Sequence, residues 1–363
     1  MATKEFPIMK ARHSIDFNIP NTVNPSAELL RFVRDPNFVI DQKLDGTRAI
    51  IDIDSQGNIV IYGRGEVQDT PHSETKSQRV YNDQFPELVQ TIKIPSLANS
   101  RLDAELVIHN PETQKIDYNL LETRVNRKDN IAQLSKQFPA DVKVFDIQKL
   151  TGKDLTKDPL YHRREILEQI FKITNPPHYS LLPQMSEITG KMALVKSLLS
   201  DSSVEGVMVK DLNSIYKDGS GDWWKSKRTY TDDVVILGIS PGKGKFEKYF
   251  GKLHGYHYDP NSRQFKWICD IGGGFDFSEM LKIKQYFGNE FYDKVLGKDT
   301  ISRYQDLVNK KMIMVAEVKY YGQVKEGYRH PTFIRWRTDK GAEDCLGRGS
   351  SVIEEQYALE EFF

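Results

Sequence analysis

From Asn37 to Gly63 the chain reads NFVIDQKLDGTRAIIDIDSQGNIVIYG, two β-rich runs joined by the turn residues SQGN. That pattern predicts a β-hairpin. Further strand candidates are LDAELVIH (102–109), VKVFDI (142–147), EGVMVKDL (205–212) and VVILGI (234–239). Helical periodicity marks HRREILEQIFKI (162–173), with Ile166, Ile170 and Phe171 on one side, and KMALVKSLLS (191–200). Strands and helices interleave irregularly with several antiparallel returns, which predicts an α+β fold rather than a doubly wound α/β sheet. After Arg228 the pattern shifts to short β runs with glycine breaks: VVILGISPGKGK, KLHGYHYD, QFKWICDIGGGF and MIMVAEVKYY. Helices are expected around 278–288 and 301–310, and the set predicts a small β-barrel. The expected division is 1–229, 230–341 and a flexible tail 342–363, which is acidic and ends in two phenylalanines.

The 363 residues suit two or three domains, and 39% apolar with 28% charged residues is an ordinary soluble composition. Lys and Arg total 51 against 51 Asp and Glu, so no global field steers the chain toward a polyanion. The balance is a cancellation. Residues 233–340 hold 19 basic and 13 acidic side chains, while 341–363 hold 1 and 6. No window approaches the roughly 20 apolar residues of a membrane span. The start, MATKEFPIMKARHS, lacks the apolar core of a signal peptide. Cys269 and Cys345 are too few for a four-cysteine zinc site, so an intracellular protein without disulfides is expected, cytoplasmic or nucleoid, or nuclear in a eukaryote.

The string Lys43-Leu44-Asp45-Gly46-Thr47-Arg48 carries the first chemistry. A lysine is a covalent nucleophile only as the free amine, a form favoured by partial burial beside other cations. Gly46 permits close backbone approach, and Arg48 lies within reach of a phosphate. Taken alone, the string is equally an ordinary hairpin strand flanked by cations. Glu105 and Glu205 sit in apolar strands, where a carboxylate needs a counter-charge or a cation. Phe145 suits a core or a stacking role. Lys225 and Lys227 alternate along one strand and share a face, where two ammonium groups repel unless an anion lies between them.

KLDGTR (43–48), YGRG (62–65), LDAELV (102–107), VFDI (144–147), EGVMVK (205–210), WWKSK (223–227) and FIRWRTDK (333–340) resemble, in order, the motifs of the covalent nucleotidyltransferases, and in particular of ATP-dependent DNA ligases. The resemblance spans roughly 37–340. It implies an ATP-grasp-like α+β nucleotidyltransferase domain followed by an OB-fold. It also implies Lys43 as the AMP-accepting nucleophile, with Arg48, Arg64, Glu105, Phe145, Lys225 and Lys227 around the nucleotide. Glu105 contacts ribose, Glu205 helps hold Mg²⁺ (Glu105 being the second candidate), Phe145 stacks on adenine, and Lys225 and Lys227 meet the α-phosphate. Asp41 stands where these ligases commonly carry Glu to read the adenine amino group. Arg48, Arg64 and Arg329 are the implied DNA or phosphate contacts. Arg337 and Lys340, oriented by Asp339, grip the β- and γ-phosphates of ATP, a step for which the OB domain closes. The implied partner is nicked duplex DNA, bound by a monomer without a membrane.

An mRNA guanylyltransferase shares KxDGxR and the OB domain, and an RNA ligase shares the nucleophile; FIRWRTDK favours the DNA ligase. NAD⁺ as donor is disfavoured by the two cysteines and the short segment before Lys43. The last eight residues, QYALEEFF, resemble the box that docks on PCNA-like sliding clamps, with Gln356, Leu359, Phe362 and Phe363 as its anchors. This raises a different class of reading, a clamp-tethered repair module with secondary catalysis.

Overall fold

The computed structural model describes residues 7–12, 14–68, 76–89, 95–201, 203–287, 293–324 and 327–346. The chain divides into two compact units: Met1–Phe17 with Pro25–Lys227, and Asn18–Asn24 with Arg228–Phe363. Among the described residues no helix is long and apolar enough to cross a membrane.

Seven strands of the first unit carry the chemistry-bearing motifs: β1 Phe38–Lys43, β2 Thr47–Ile53, β3 Ile59–Gln68, β4 Ser100–Ile108, β5 Ala140–Leu150, β6 Gly206–Asp211 and β7 Trp223–Lys227. They belong to two sheets. In one the order is Tyr179–Leu181, β5, β4, β2, β3, Lys76–Val80; in the other it is Gln184–Met185, β1, β6, β7, Ser14–Asp16. The expected hairpin exists as β2 and β3, antiparallel from Ala49 opposite Gly63 to Ile53 opposite Ile59. Its turn is built by Asp54, whose carboxylate accepts from the backbone N–H of Gln56 and of Asn58, both at 2.8 Å. The run before the turn is two strands, with KLDGTR at the end of one and the start of the next, as its sequence suggests. It breaks after Lys43, and β1 and β2 enter different sheets.

Alternation along the strands sorts their side chains. Ala49, Ile51 and Ile53 of β2, Leu102, Ala104, Leu106 and Ile108 of β4, and Val142, Val144 and Ile147 of β5 form one core. Helix α2 (Leu160–Ile173) adds Leu167 and Ile170 to it. The helix is rotated from the sequence expectation: Arg163 and Leu167 are buried, whereas Ile166 and Phe171 are only partly so. Arg163 turns inward because Asp146 accepts from its Nε and Nη2 at 2.8 and 2.9 Å. A second core joins Ile40, Val207 and Val209 to Leu29 and Val33 of α1 (Ala27–Arg34) and to Val195, Leu198 and Leu199 of α3 (Ile188–Ser200). Each sheet therefore has one face covered by helices, and the polar residues of its motifs occupy the other face.

The second unit is a five-stranded antiparallel sheet of β8 Tyr230–Pro241, β9 Phe250–Asp259, β10 Gln264–Ile271, β11 Met314–Tyr320 and β12 Thr332–Trp336, ordered β10-β9-β8-β11-β12. Register shifts interrupt the β8–β9, β9–β10 and β11–β12 pairings, the irregularities that let a short sheet bend. Helices α4 (Phe277–Phe287) and α5 (Asp299–Asn309) bury Met280, Ile283, Phe287 and Leu307 in its core. Two features escaped the sequence. Asn18–Asn24 joins this unit, with Asn18 Oδ1 accepting from Thr229 N at 2.9 Å and its Nδ2 donating to Thr229 O at 3.1 Å. Residues 342–345, read as the start of a flexible tail, are packed: Ala342 and Cys345 are buried in the core, and the Cys345 carbonyl accepts from Tyr258 N at 2.7 Å. Gln356, Leu359, Phe362 and Phe363 lie outside the described residues.

Candidate active site

Register across β1, β6 and β7 sets Lys43 opposite Gly206 and Gly206 opposite Lys227; Asp41, Met208 and Lys225 form the next row, and Val39, Lys210 and Trp223 the third. All of these share the sheet face turned away from α1 and α3. As expected, Ser226 points to the other side and is buried. Gly206 has φ +148, and a Cβ there would come within 1.9 Å of the Ser226 carbonyl oxygen, so the row tolerates no side chain.

Glu205, immediately before β6, binds two of the cations. Its Oε2 pairs with Lys43 Nζ, and its Oε1 lies 2.9 Å from Lys227 Nζ. Burial pushes the Glu205 carboxyl up, but the two lysines together hold it below the usual range.

On the other sheet, Arg48, Asp103, Glu105 and Val107 occupy the face opposite the apolar core. Arg48 Nε donates to Asp103 Oδ1 at 2.9 Å and Nη2 to Oδ2 at 2.5 Å; Tyr216 Oη donates to Asp103 Oδ2 at 2.6 Å. Burial alone would favour the neutral guanidine, and Asp103 more than offsets it, so Arg48 stays firmly charged. The Glu105 carboxylate makes no hydrogen bond among the described residues, and burial pushes it up to about 7 against the pull of Lys43 and Arg48. Gly46 is required here, because a Cβ would stand 2.3 Å from the Leu106 carbonyl oxygen and 2.7 Å from Glu105 Cγ.

Phe145 reaches this face through a register shift. Asp103 pairs with Asp146 and Ala104 with Val144, which leaves Phe145 as the extra residue of a bulge. Its ring packs with Leu44, Val107, Leu182, Tyr216 and Trp223, and meets Trp223 edge-on at 6.0 Å. Asp41 is tied to Lys210 at 2.6 Å, with both side chains almost wholly buried.

The first unit thus gathers Asp41, Lys43, Arg48, Glu105, Phe145, Glu205, Lys225 and Lys227. Arg64 lies on β3, its side chain outside the described residues. Arg329, Arg337 and Lys340 lie on the second unit. There Asp233 accepts from Arg337 Nη1 at 2.9 Å on both oxygens and from Lys340 Nζ at 2.5 Å, while Asp339 binds Arg337 Nε and Nη2 at 2.8 and 2.7 Å. Arg329 donates its backbone N–H to Gly322 O at 2.8 Å.

Sequence reasoning missed Asp103, Lys210, Tyr216 and Asp233. Asp103 and Lys210 stand within LDAELV and EGVMVK, and alternation from Glu105 and from Met208 would have found them. Tyr216 and Asp233 carry no such local signal.

The model of the ATP-dependent DNA ligase domain matches residues 20–227, more than half of the chain. The chain belongs to the ATP-dependent DNA ligase family. Curated relatives include a DNA ligase of Hyperthermus butylicus, 29% identical over 335 residues, covering 85% of this chain and 52% of that protein. Another is a DNA ligase of Sulfophobococcus zilligii, 30% identical over 311 residues, covering 77% and 50%. The chain spans about half the length of the curated relatives it matches. Among solved structures, one from a structure–function study of Lig E DNA ligases superposes with a TM-score of 0.51 at 17% identity, covering 83% of this chain and 93% of that one. Pmar-Lig_Pre superposes at 0.57 and 17% identity, covering 90% and 67%. The ligase fold is thereby established as an α+β nucleotidyltransferase domain with an OB-fold domain.

Proposed function

We propose that this family member is an ATP-dependent DNA ligase that seals 5′-phosphate/3′-hydroxyl nicks in duplex DNA. The observation that supports this most is the convergence of Lys43, Arg48, Glu105, Glu205, Lys225 and Lys227 within one unit. The reaction is three phosphoryl transfers. Lys43 Nζ attacks the α-phosphorus of ATP, a P–N bond forms, and the P–O bond to pyrophosphate breaks. The 5′-phosphate at the nick then takes AMP from the lysine, and the 3′-hydroxyl displaces AMP to close the strand. Lys225 and Lys227 neutralise charge developing on the α-phosphate, Glu105 accepts from the ribose, and Phe145 offers a ring to the base. On the second unit, Arg337 and Lys340 are the proposed grips for pyrophosphate, and Arg48, Arg64 and Arg329 the proposed phosphate or DNA contacts.

Mg²⁺ fits the donor set. Glu105 and Glu205 offer only oxygen, and Glu105 has no hydrogen-bond partner among the described residues. Those residues contain no group of three or more His, Cys, Asp or Glu able to hold a metal. Magnesium commonly accepts this pattern of one or two carboxylates completed by phosphates and water, and when bound it neutralises phosphate charge.

The C-terminal box is proposed to tether the enzyme to a PCNA-like sliding clamp, raising its effective concentration at nicks. The charge cancellation supports this reading, since modest non-specific DNA affinity that weakens with salt leaves a use for a tether. The test is a gel assay of nick sealing with each nucleoside triphosphate, beside labelling of Lys43. The expected result is an AMP adduct from ATP that Lys43→Ala abolishes together with sealing. An ATP-derived adduct persisting in Lys43→Ala would sink the reading, and a GMP adduct would move the chain to the guanylyltransferases.

A further inference from the structure

One buried ion pair has no part in the transfer steps. Lys210 Nζ donates to Asp41 Oδ2 at 2.6 Å, and Gln184 Nε2 approaches the same oxygen at 3.4 Å. The ammonium also lies 4.6 Å from the ring centroids of both Phe145 and Trp223, so two aromatic faces hold it in place. The second carboxylate oxygen, Asp41 Oδ1, is buried and has no hydrogen-bond partner among the described residues; the same is true of Trp223 Nε1. A buried acceptor without a donor is costly, so a site built this way suits a ligand that brings an N–H to Asp41 Oδ1.

We propose that Lys210 is the positioning residue that sets nucleobase choice. By occupying Oδ2 it fixes the orientation of the carboxylate and leaves Oδ1 as the unpaired acceptor. The free Oδ1 then receives the 6-amino group of a purine and repels a 6-oxo group. Without the ammonium the carboxylate loses the partner that holds it, Oδ1 is no longer fixed as the acceptor, and the basis for discrimination goes with it. The inference rests on the adenylation reading above and adds to it a residue that touches Asp41 rather than the base.

The test uses the full chain and compares the rate of lysyl-nucleotide formation from ATP and from ITP, its 6-oxo counterpart. The unaltered protein is expected to prefer ATP. In Lys210→Met the ATP:ITP ratio is expected to fall roughly 10- to 100-fold, the scale of one hydrogen bond to a charged group, and Lys210→Arg is expected to restore most of it. A merely structural role lowers both rates together and leaves the ratio unchanged, and that outcome overturns the proposal. Should Lys210→Met fail to fold, Asp41→Asn takes its place, because an amide presents either a donor or an acceptor; an unchanged ratio there overturns the proposal equally. If the unaltered protein forms no adduct from any nucleotide, the adenylation reading itself falls and this inference with it.

Discussion

The side-chain nitrogen of Lys43 rests on Oε2 of Glu205, a residue 162 positions away that immediately precedes the strand facing it. Glu205 also holds Lys227, so one carboxylate offsets the repulsion between two ammonium groups held near each other. Glu205→Gln also removes a proposed Mg²⁺ ligand, so lysyl-AMP formation is expected to slow about 10²-fold, the scale of losing one electrostatic partner at a reacting centre. Single-turnover labelling checks this, and a change below roughly threefold would count against a role in the first step.

Gly46 lies between Lys43 and Arg48 in sequence and packs flat against β4. In Gly46→Ala the new methyl group meets the Leu106 carbonyl oxygen at 2.3 Å, a backbone atom that cannot swing away. Destabilisation of about 1–3 kcal/mol is expected from such overpacking. A lowered midpoint with an unchanged slope in urea unfolding is the signature.

Glu105 gives the nucleotide-free protein a pH dependence of defined sign. Burial raises its folded-state value to about 7, above the ordinary 4.5 of a glutamate. Between these values the folded state binds more protons than the unfolded state, so this group's contribution is fully present below the unfolded value and is lost as pH rises through about 7. Thermal melts across that window should show Glu105→Gln falling less steeply with pH than the unaltered protein.

Asp233 holds Arg337 and Lys340 in the conformation described, so a phosphate that recruits these two cations must replace a carboxylate. Asp233→Asn is expected to weaken the second unit by about 1–3 kcal/mol, since the remaining groups are partly buried. It should also lower the KM for ATP. A calorimetric melt and steady-state kinetics measure the two effects, which have opposite benefit to the enzyme.

Much of the site was legible because it depends on local alternation. Lys225 and Lys227 share a face and Ser226 does not, as strand geometry requires. Glu105 and Arg48, directly paired across β4 and β2, oppose the apolar face that Leu102, Ala104 and Leu106 mark in the sequence. The change of pattern after Arg228 likewise corresponds to the start of the second unit's sheet.

What the chain's own text determined, then, was residue chemistry and the side of a strand on which it falls, because both follow from spacings of one or two residues. Tertiary structure alone decided the rest. The run from 37 to 53 splits between two sheets because β1 finds β6 and β2 finds β4, pairings that join residues distant in sequence, such as Lys43 with Gly206 and Thr47 with Leu106. Phe145 turns into the site because the register between β4 and β5 slips by one residue, which no local pattern encodes. Lys43, Lys210 and Arg337 meet their carboxylates only after folding, since an ion pair is set by the distance between side chains in space.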